Sequence, residues 1–158
     1  DMEKNIERAH KWENLLLGKQ VPDLACMDSA NVWHNTRDCN KDFKILLFWS
    51  PGCGHCSVEV PKYDKFYKEK KDIYSVEIFA INTESDLEAW KKFIKEKDLQ
   101  WINLNGLVAN YDWREYFDIE KTPIMFVLDK NNTIVAKNVP ADNIEQIIKA
   151  LKEGRFAF

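Results

Sequence analysis

Long apolar runs are missing from this sequence of 158 residues. A membrane-spanning helix needs about 20 apolar residues in a row, whereas a run such as residues 45–49 has only the length of a β-strand. Charge of one sign is not in excess either, because 23 lysines and arginines face 26 acidic residues and the net charge is -3. The composition therefore gives no electrostatic reason to expect binding to nucleic acid. Internal repeats are also absent, and the length fits one domain.

A secretory signal is not visible at the start of the chain. The first residues, DMEKNIERAH, contain neither an apolar stretch nor a small-residue cleavage site. Residues 2–17 instead have the amphipathic spacing of a helix that ends at Gly18. We therefore expect residues 1–17 to form an N-terminal helical extension, which would be the stub of a larger upstream region, and residues 18–158 to form the main domain.

Apolar runs and helical periodicity alternate along the rest of the chain. Residues 44–49 and 72–82 have the composition of strands buried on both faces, and residues 54–70 between them have helical spacing. The other predicted elements are a small hairpin within residues 24–43, a helix at 84–97, a loop at 99–106, a short helix at 108–117, two hairpin strands at 123–137 and a helix at 141–154. This alternation predicts a layered α/β fold.

The most distinctive local feature is the sequence Cys-Gly-His-Cys at residues 53–56, between a predicted buried strand and a predicted helix. The free amides and the dipole of a helix N-terminus stabilise a thiolate, so Cys53 is the predicted nucleophile. One helical turn brings Cys56 close enough to resolve a mixed disulfide at Cys53. Gly54 leaves the first sulfur open to attack, and a protonated His55 would favour the thiolate further.

Metal and haem binding fit this cysteine pair less well. A structural zinc site takes four ligands, usually from two short-spaced pairs, and the other cysteines and histidines of the chain supply no second pair. A c-type haem needs a histidine directly after the second cysteine, where this chain has Ser57. We therefore expect neither a metal nor a cofactor.

The stretches FWSPGCGHC at 48–56 and KTPIMFVLD at 121–129, with their spacing, resemble the thioredoxin superfamily. The stretch GKQVPDL at 18–24 is similar to the opening of its TlpA/ResA-like branch, the extracytoplasmic thiol-disulfide oxidoreductases of bacteria. The resemblance covers residues 18–153. It implies a thioredoxin-like fold, with a central mixed β-sheet flanked by helices and preceded here by the helical extension and the hairpin. It also implies a thiol-disulfide oxidoreductase that acts on protein disulfides.

The resemblance assigns roles to individual residues. Cys53 would be the attacking thiol and Cys56 the resolving thiol. Pro123 would be the cis-proline beside the active site, a form found in only about 5% of X-Pro bonds. Thr122 would offer its backbone to an extended substrate segment. Trp49 matches the aromatic residue that precedes the active-site loop in this family, although it equally fits an ordinary core tryptophan at a strand end.

Glu59 lies three residues after Cys56 and therefore on the same face of the predicted helix. In the TlpA/ResA-like branch a glutamate at this position acts as a proton acceptor near the cysteines, and the resemblance implies the same role here. Thioredoxin itself uses an aspartate on the preceding strand, where this chain has Leu47. A solvated helix glutamate is the alternative interpretation of Glu59.

The remaining cysteines, Cys26 and Cys39, allow two interpretations. A structural disulfide between them would close a loop of about a dozen residues, contribute about 3 kcal/mol and fit an oxidising compartment. Two separate thiols are the alternative, and the sequence does not decide between them.

The direction of electron flow is also left open. The resemblance favours an exported reductase, periplasmic or tethered to the membrane on the periplasmic side, that acts on protein thiols and disulfides and is recycled by a membrane or soluble electron donor. The pair Gly54-His55 occurs in protein disulfide isomerase and favours oxidase or isomerase activity. A non-catalytic docking module is a third alternative, which the retained cysteines and the Thr122-Pro123 pair disfavour.

Overall fold

The computed structural model describes residues 2–6 and 15–155. Residues 2–6 are helical, and the rest of the predicted N-terminal helix as far as residue 14 lies outside the described residues. From Leu15 onward the chain is attached to the domain, because Leu15 is buried and the Gly18 amide donates a hydrogen bond to the Ile134 carbonyl at 2.8 Å. The predicted division of the chain after residue 17 stays a prediction.

Within the described part of the chain, seven strands form one mixed sheet. The strands are β1 (Ala25–Met27), β2 (Trp33–Asn35), β3 (Phe43–Trp49), β4 (Val76–Asn82), β5 (Ile102–Ala109), β6 (Ile124–Leu128) and β7 (Ile134–Lys137). Their order across the sheet is β2-β1-β5-β4-β3-β6-β7. The three central strands β3, β4 and β5 are parallel, and β1, β2, β6 and β7 each run antiparallel to their neighbours.

Helices cover both faces of the sheet. They are α1 (Gly54–Tyr74), α2 (Leu87–Lys97), α3 (Trp113–Tyr116) and α4 (Ile144–Lys152), with short 3₁₀ turns at Thr36–Asp38 and Ala141–Asn143. None of the helices within residues 2–6 and 15–155 combines the length and the hydropathy needed to cross a membrane. The predicted α/β fold with a mixed sheet, flanking helices and a β1–β2 hairpin is confirmed.

The central strand β3 explains why the sheet needs cover on both faces. All of its residues are buried, and alternate side chains of a strand point to opposite faces. Ile45 and Leu47 pack in a core with residues of α1, α2 and α4. Leu46 and Phe48 pack in the second core, with residues of α3 and of the segment 15–24.

Three predicted boundaries were wrong. Residues 72–74 belong to α1, which ends at Ser75 in the left-handed conformation, so the next strand begins only at Val76. The predicted loop at 99–106 contains most of β5, whose asparagines and glycine hide the strand pattern. Residues 108–109 continue that strand, so the short helix covers only Trp113–Tyr116.

The register between β3 and β6 brings the two sequence motifs together. Phe48 pairs with Ile124 in the antiparallel ladder. Because antiparallel partners run in opposite directions, the residues after Phe48 lie beside the residues before Ile124. The cysteine motif and Thr122-Pro123 therefore meet at the carboxyl ends of the parallel strands.

Candidate active site

Cys53 caps the N-terminus of α1 with its own sulfur. The Cys56 amide donates a hydrogen bond to the Cys53 Sγ at 3.2 Å, which satisfies one of the amides that every helix N-terminus leaves unpaired. The backbone holds the same turn, because the Cys53 amide donates to the Ser50 carbonyl at 3.3 Å. The sulfur therefore sits at the positive end of the helix dipole, as the sequence pattern predicted.

The same sulfur contacts the loop that precedes β6. The Cys53 thiol donates a hydrogen bond to the Thr122 carbonyl oxygen at 3.2 Å. The Thr122–Pro123 peptide bond is cis, the form that the resemblance implied for Pro123. The two motifs quoted from the sequence thus form one site.

The two cysteines have opposite environments. Burial of the Cys53 sulfur disfavours its ionisation, but contacts with the side chains of Cys56 and Thr122 and with the backbone amides of Cys56 and His55 outweigh it, so the pKa of Cys53 lies below its ordinary value. Cys56 is fully buried, and this burial, together with the neighbouring Cys53, raises the pKa of Cys56 to about 12. Cys53 is therefore the thiol of the pair that ionises more easily, and Cys56 keeps its proton at neutral pH.

Two clefts flank the site, one on each side of the Thr122–Pro123 bond. The first, which we call the Asp86 cleft, has a volume of about 460 Å³ and contains Cys53, Thr122, Glu84, Ser85 and Asp86 in its lining. The second, which we call the Glu59 cleft, has a volume of about 340 Å³ and contains His55, Glu59, Tyr63, Lys121, Pro123 and Val139 in its lining. Cys53 is in the lining of the Asp86 cleft and is not among the residues that line the Glu59 cleft.

Glu59 lines the second cleft and is held by a backbone amide. The Ala141 N–H donates to Glu59 Oε2 at 3.1 Å, which joins α1 to the 3₁₀ turn before α4. Glu59 is only partly exposed. Its role as proton acceptor stays a prediction.

The other predicted support residues have different surroundings. Trp49 is fully buried, packs against Phe93 in a tilted arrangement with ring centroids 5.0 Å apart, and is not among the residues that line either cleft. This placement fits the core interpretation of Trp49. Gly54 and His55 open α1 and are exposed. A Cβ added at Gly54 would meet nothing within 4 Å, which agrees with open access to the neighbouring sulfur.

Cys26 and Cys39 are separate thiols in this structure, and a disulfide between them stays a prediction. Cys26 is fully buried beside the end of β5, where it pairs with Ala109. Cys39 lines a larger cavity of about 650 Å³ together with Glu77 and Ile102, near the starts of β4 and β5. That cavity lies at the opposite end of the parallel strands from Cys53.

Several residues of the site were missed in the sequence. Glu84 and Asp86 reach the Asp86 cleft because β4 ends beside β3. Tyr63 and Val139 meet in the Glu59 cleft although they are 76 positions apart. Tyr63 has the helical spacing of a core residue, and nothing in its local sequence indicates a place in the site. Among the described residues, no group of three side chains is arranged to hold a metal ion.

A family model of thioredoxin-like proteins matches residues 40–134, more than half of the chain. The chain belongs to the thioredoxin-like family. Among the relatives of this thioredoxin-like protein is the thioredoxin-like protein YneN of Bacillus subtilis (strain 168), which is 26% identical over 123 residues, covering 74% of this chain and 68% of YneN.

Solved structures agree with this assignment. A domain of a possible thiol-disulfide isomerase from Cytophaga hutchinsonii has a TM-score of 0.81 and 32% identity, over 89% of this chain and 96% of that chain. A thiol:disulfide interchange protein from Bacteroides sp. has a TM-score of 0.74 and 26% identity, over 89% of this chain and 95% of that chain. The predicted superfamily and the predicted enzyme class, thiol-disulfide oxidoreductase, are confirmed, and the findings are consistent with the TlpA/ResA-like branch.

Proposed function

We propose that this thioredoxin-like protein reduces disulfides of other proteins, with Cys53-Gly54-His55-Cys56 as its redox pair. The observation that carries the proposal is the contrast between the two thiols. Cys53 is accessible, caps a helix and has a lowered pKa, whereas Cys56, one turn away, is buried and stays protonated. An accessible thiolate is suited to attack a substrate, and a sheltered thiol is suited to resolve the product.

The reaction has two exchange steps. The Cys53 thiolate attacks one sulfur of the substrate disulfide, whose S–S bond breaks and releases one substrate thiolate. Cys56 then gives its proton to Glu59, and its thiolate attacks the Cys53 sulfur and releases the second substrate thiolate. The substrate gains two electrons, and the enzyme is left with a Cys53–Cys56 disulfide. A reductant, which we propose to be a membrane or soluble electron donor, must restore the dithiol.

The residues around the pair would bind and support the substrate. We propose that the backbone of Thr122, beside Pro123, pairs with an extended substrate segment, because it lies between the two clefts and contacts Cys53. Gly54 would keep the approach open, and the His55 amide would help to stabilise the thiolate. Trp49 would support the site only through packing beneath the loop.

The place of action is part of the same proposal. The TlpA/ResA-like resemblance supports an extracytoplasmic protein, periplasmic or tethered to the membrane on the periplasmic side. A reductase in an oxidising compartment needs a dedicated supply of electrons, and this need supports a membrane partner as the donor.

A second candidate function is disulfide oxidation or isomerisation. The Gly54-His55 pair favours it, and the Cytophaga hutchinsonii relative is described as a possible thiol-disulfide isomerase. The lowered pKa of Cys53 also points this way, because stabilising the thiolate stabilises the reduced enzyme and makes it more oxidising.

The reduction potential of the Cys53/Cys56 pair separates these candidates. We would equilibrate the protein in glutathione buffers and count modified thiols by mass spectrometry, with a Cys26→Ser, Cys39→Ser variant to exclude other thiols. A potential near the thioredoxin value of about -270 mV supports the reductase, and one near about -180 mV supports the oxidase or isomerase.

A trapping experiment tests the assigned roles of the two cysteines. A Cys56→Ser variant should accumulate mixed disulfides with substrate proteins through Cys53, whereas a Cys53→Ser variant should not. If no disulfide forms between Cys53 and Cys56 in any buffer, the redox proposal fails and a docking module takes its place.

A further inference from the structure

Helix α1 is joined to the segment before α4 by two hydrogen bonds that lie one helical turn apart. The Tyr63 hydroxyl donates to the Val139 carbonyl, and the Ala141 amide donates to Glu59 Oε2 at 3.1 Å. Glu59 and Tyr63 are four residues apart and therefore lie on one face of α1, and both line the Glu59 cleft. The carboxylate and the hydroxyl thus hold neighbouring groups of the same segment.

Tyr63 is suited to be a permanent donor. Its side chain is only 4% exposed. Burial and then the nearby Glu59 carboxylate raise its pKa above its ordinary range, so the hydroxyl keeps its proton at any physiological pH. A buried hydroxyl without a partner is unfavourable, so its bond to the Val139 carbonyl fixes the position of that residue.

The segment held by Tyr63 is also attached to the start of β6, which follows Pro123. The Asn138 amide donates to the Met125 carbonyl at 2.8 Å, and the Met125 amide donates to Asn138 Oδ1 at 3.3 Å. Met125 is two residues beyond Pro123 in the sequence. Residues 138–141 therefore connect the active-site helix, the carboxylate of Glu59 and the loop beside Cys53.

We propose that Tyr63 is a positioning residue for Glu59. By fixing Val139, it holds the Ala141 amide where it engages one carboxylate oxygen, Oε2, and leaves Oε1 to accept the proton of Cys56. This inference rests on the proton-acceptor role of Glu59 in the proposed function. Tyr63 itself takes no part in the exchange of sulfur bonds.

The charged and titratable groups near Glu59 come from three elements. His55 and Tyr63 lie on α1, and Lys121 lies across the cleft before β6. Beside Ala141, Asp142 forms an ion pair with Lys62 of α1 at 3.2 Å. Substituting Tyr63 by phenylalanine changes none of these charges, so a change in the pH profile of that variant reports on how Glu59 is placed.

A small disulfide reagent, dithiobis(nitrobenzoate), separates the two steps. Attack by Cys53 releases the first coloured nitrobenzoate thiolate, and attack by Cys56 on the resulting mixed disulfide releases the second. To leave Cys53 and Cys56 as the only thiols, all proteins in this assay carry Cys26→Ser and Cys39→Ser. In that background, which serves as the wild type here, we would measure both phases against pH without further change and with Tyr63→Phe, Glu59→Gln and both substitutions together. The matched control is Tyr74→Phe, which removes a similar bond from α1 to α4, from Tyr74 to Glu145 at 3.4 Å, far from the cysteines.

We expect the second phase to change and the first to stay the same. A positioned proton acceptor contributes about 100-fold or more, so Glu59→Gln should slow the second phase by about that factor and Tyr63→Phe by roughly tenfold. Tyr63→Phe should also shift the pH midpoint of the second phase. In the Glu59→Gln background, Tyr63→Phe should slow the second phase no further, because the effects of two substitutions that act through one group do not add. Tyr74→Phe should match the wild type in both phases.

Other results would overturn the inference in distinguishable ways. If Glu59→Gln slows the second phase and Tyr63→Phe does not, Tyr63 has no positioning role and the proposed role of Glu59 stands. If Glu59→Gln has no effect, the proton-acceptor role fails, and the role of Tyr63 fails with it. If Tyr63→Phe slows the second phase equally in both backgrounds, or if Tyr74→Phe has the same effect, the contribution of Tyr63 is general stability.

Discussion

The thiol of Cys53 lies 3.2 Å from the carbonyl oxygen of Thr122, which is 69 positions further along the chain. This contact depends on the antiparallel pairing of β3 with β6, because that pairing places the residues after Phe48 beside those before Ile124. The contact gives the protonated thiol a hydrogen-bond acceptor. It also places the sulfur beside the Thr122 backbone, where a substrate chain is proposed to bind. The surroundings of the four cysteines lead to the first predictions.

The thiols should differ in reactivity in the native, reduced protein. Cys53 has a lowered pKa and is partly exposed, so iodoacetamide should modify it first. Burial raises the pKa of Cys39, which should follow, and Cys26 and Cys56 are fully buried and should stay unmodified until the protein unfolds. Peptide mapping by mass spectrometry after timed alkylation gives the order. Failure to alkylate Cys26 and Cys39 in unfolded, unreduced protein would reveal a disulfide between them.

The cap at the start of α1 should contribute measurably to stability. A serine at position 53 can still accept the hydrogen bond that the Cys56 amide donates to Cys53, whereas an alanine cannot. We expect Cys53→Ala to be about 1 kcal/mol less stable than Cys53→Ser. Urea denaturation of the two variants is a fair comparison, because neither can form the Cys53–Cys56 disulfide. Equal stabilities would mean that water replaces the cap without cost.

The stability of the reduced protein should fall as the pH rises above about 9. Burial raises the pKa values of Cys26 and Cys56 from 9.0 to about 12, so the unfolded chain loses protons that the folded protein keeps. This contribution is fully present below pH 9 and is lost toward pH 12, by at most about 1.4 kcal/mol per pH unit for each thiol. The lowered pKa of Cys53 affects stability in the opposite direction, because its contribution grows as the pH rises and is present above about pH 9.

Denaturant titrations between about pH 9 and pH 10 measure this loss together with the first part of the tyrosine contribution, because the ordinary tyrosine pKa is 10.0. Comparison with a cysteine variant isolates the part that comes from one thiol. In the Cys26→Ala variant, the free energy of unfolding should fall less steeply with pH, because one of the two buried thiols that cause the fall is gone. An unchanged slope in that variant would show that Cys26 ionises as easily in the folded protein as in the unfolded chain.

Gly106 should not tolerate a side chain. A Cβ at this position of β5 would lie 2.7 Å from both Ile81 Cγ2 and Trp113 Cζ2, and closer still to the carbonyl oxygen of Asn82. We expect Gly106→Ala to lose about 1–3 kcal/mol, because a packed core cannot yield to the added methyl group. Gly52→Ala is the control, since nothing lies within 4 Å of its added Cβ. Similar stability losses in both variants would contradict steric crowding as the cause.

Local sequence was enough to predict the elements with strong patterns. Residues 44–49 are continuously apolar, which is typical of a strand buried on both faces, and the structure has β3 there. The helix after the cysteines and the hairpin near the C-terminus were equally visible. By contrast, β5 was missed, because Asn103, Asn105 and Gly106 interrupt its apolar pattern and only pairing with β4 stabilises it as a strand.

The sequence by itself determined the chemistry that this protein carries, because two cysteines at a helical start and a later Thr-Pro are local patterns that any fold must place somewhere. Tertiary structure alone decided how they are used. The strand register joined Cys53 to Thr122, the packing of α1 buried Cys56, and the segment 138–141 brought an amide to Glu59. These relationships connect residues far apart in the chain, and no local pattern encodes them, because they arise only when the sheet and its helices pack together.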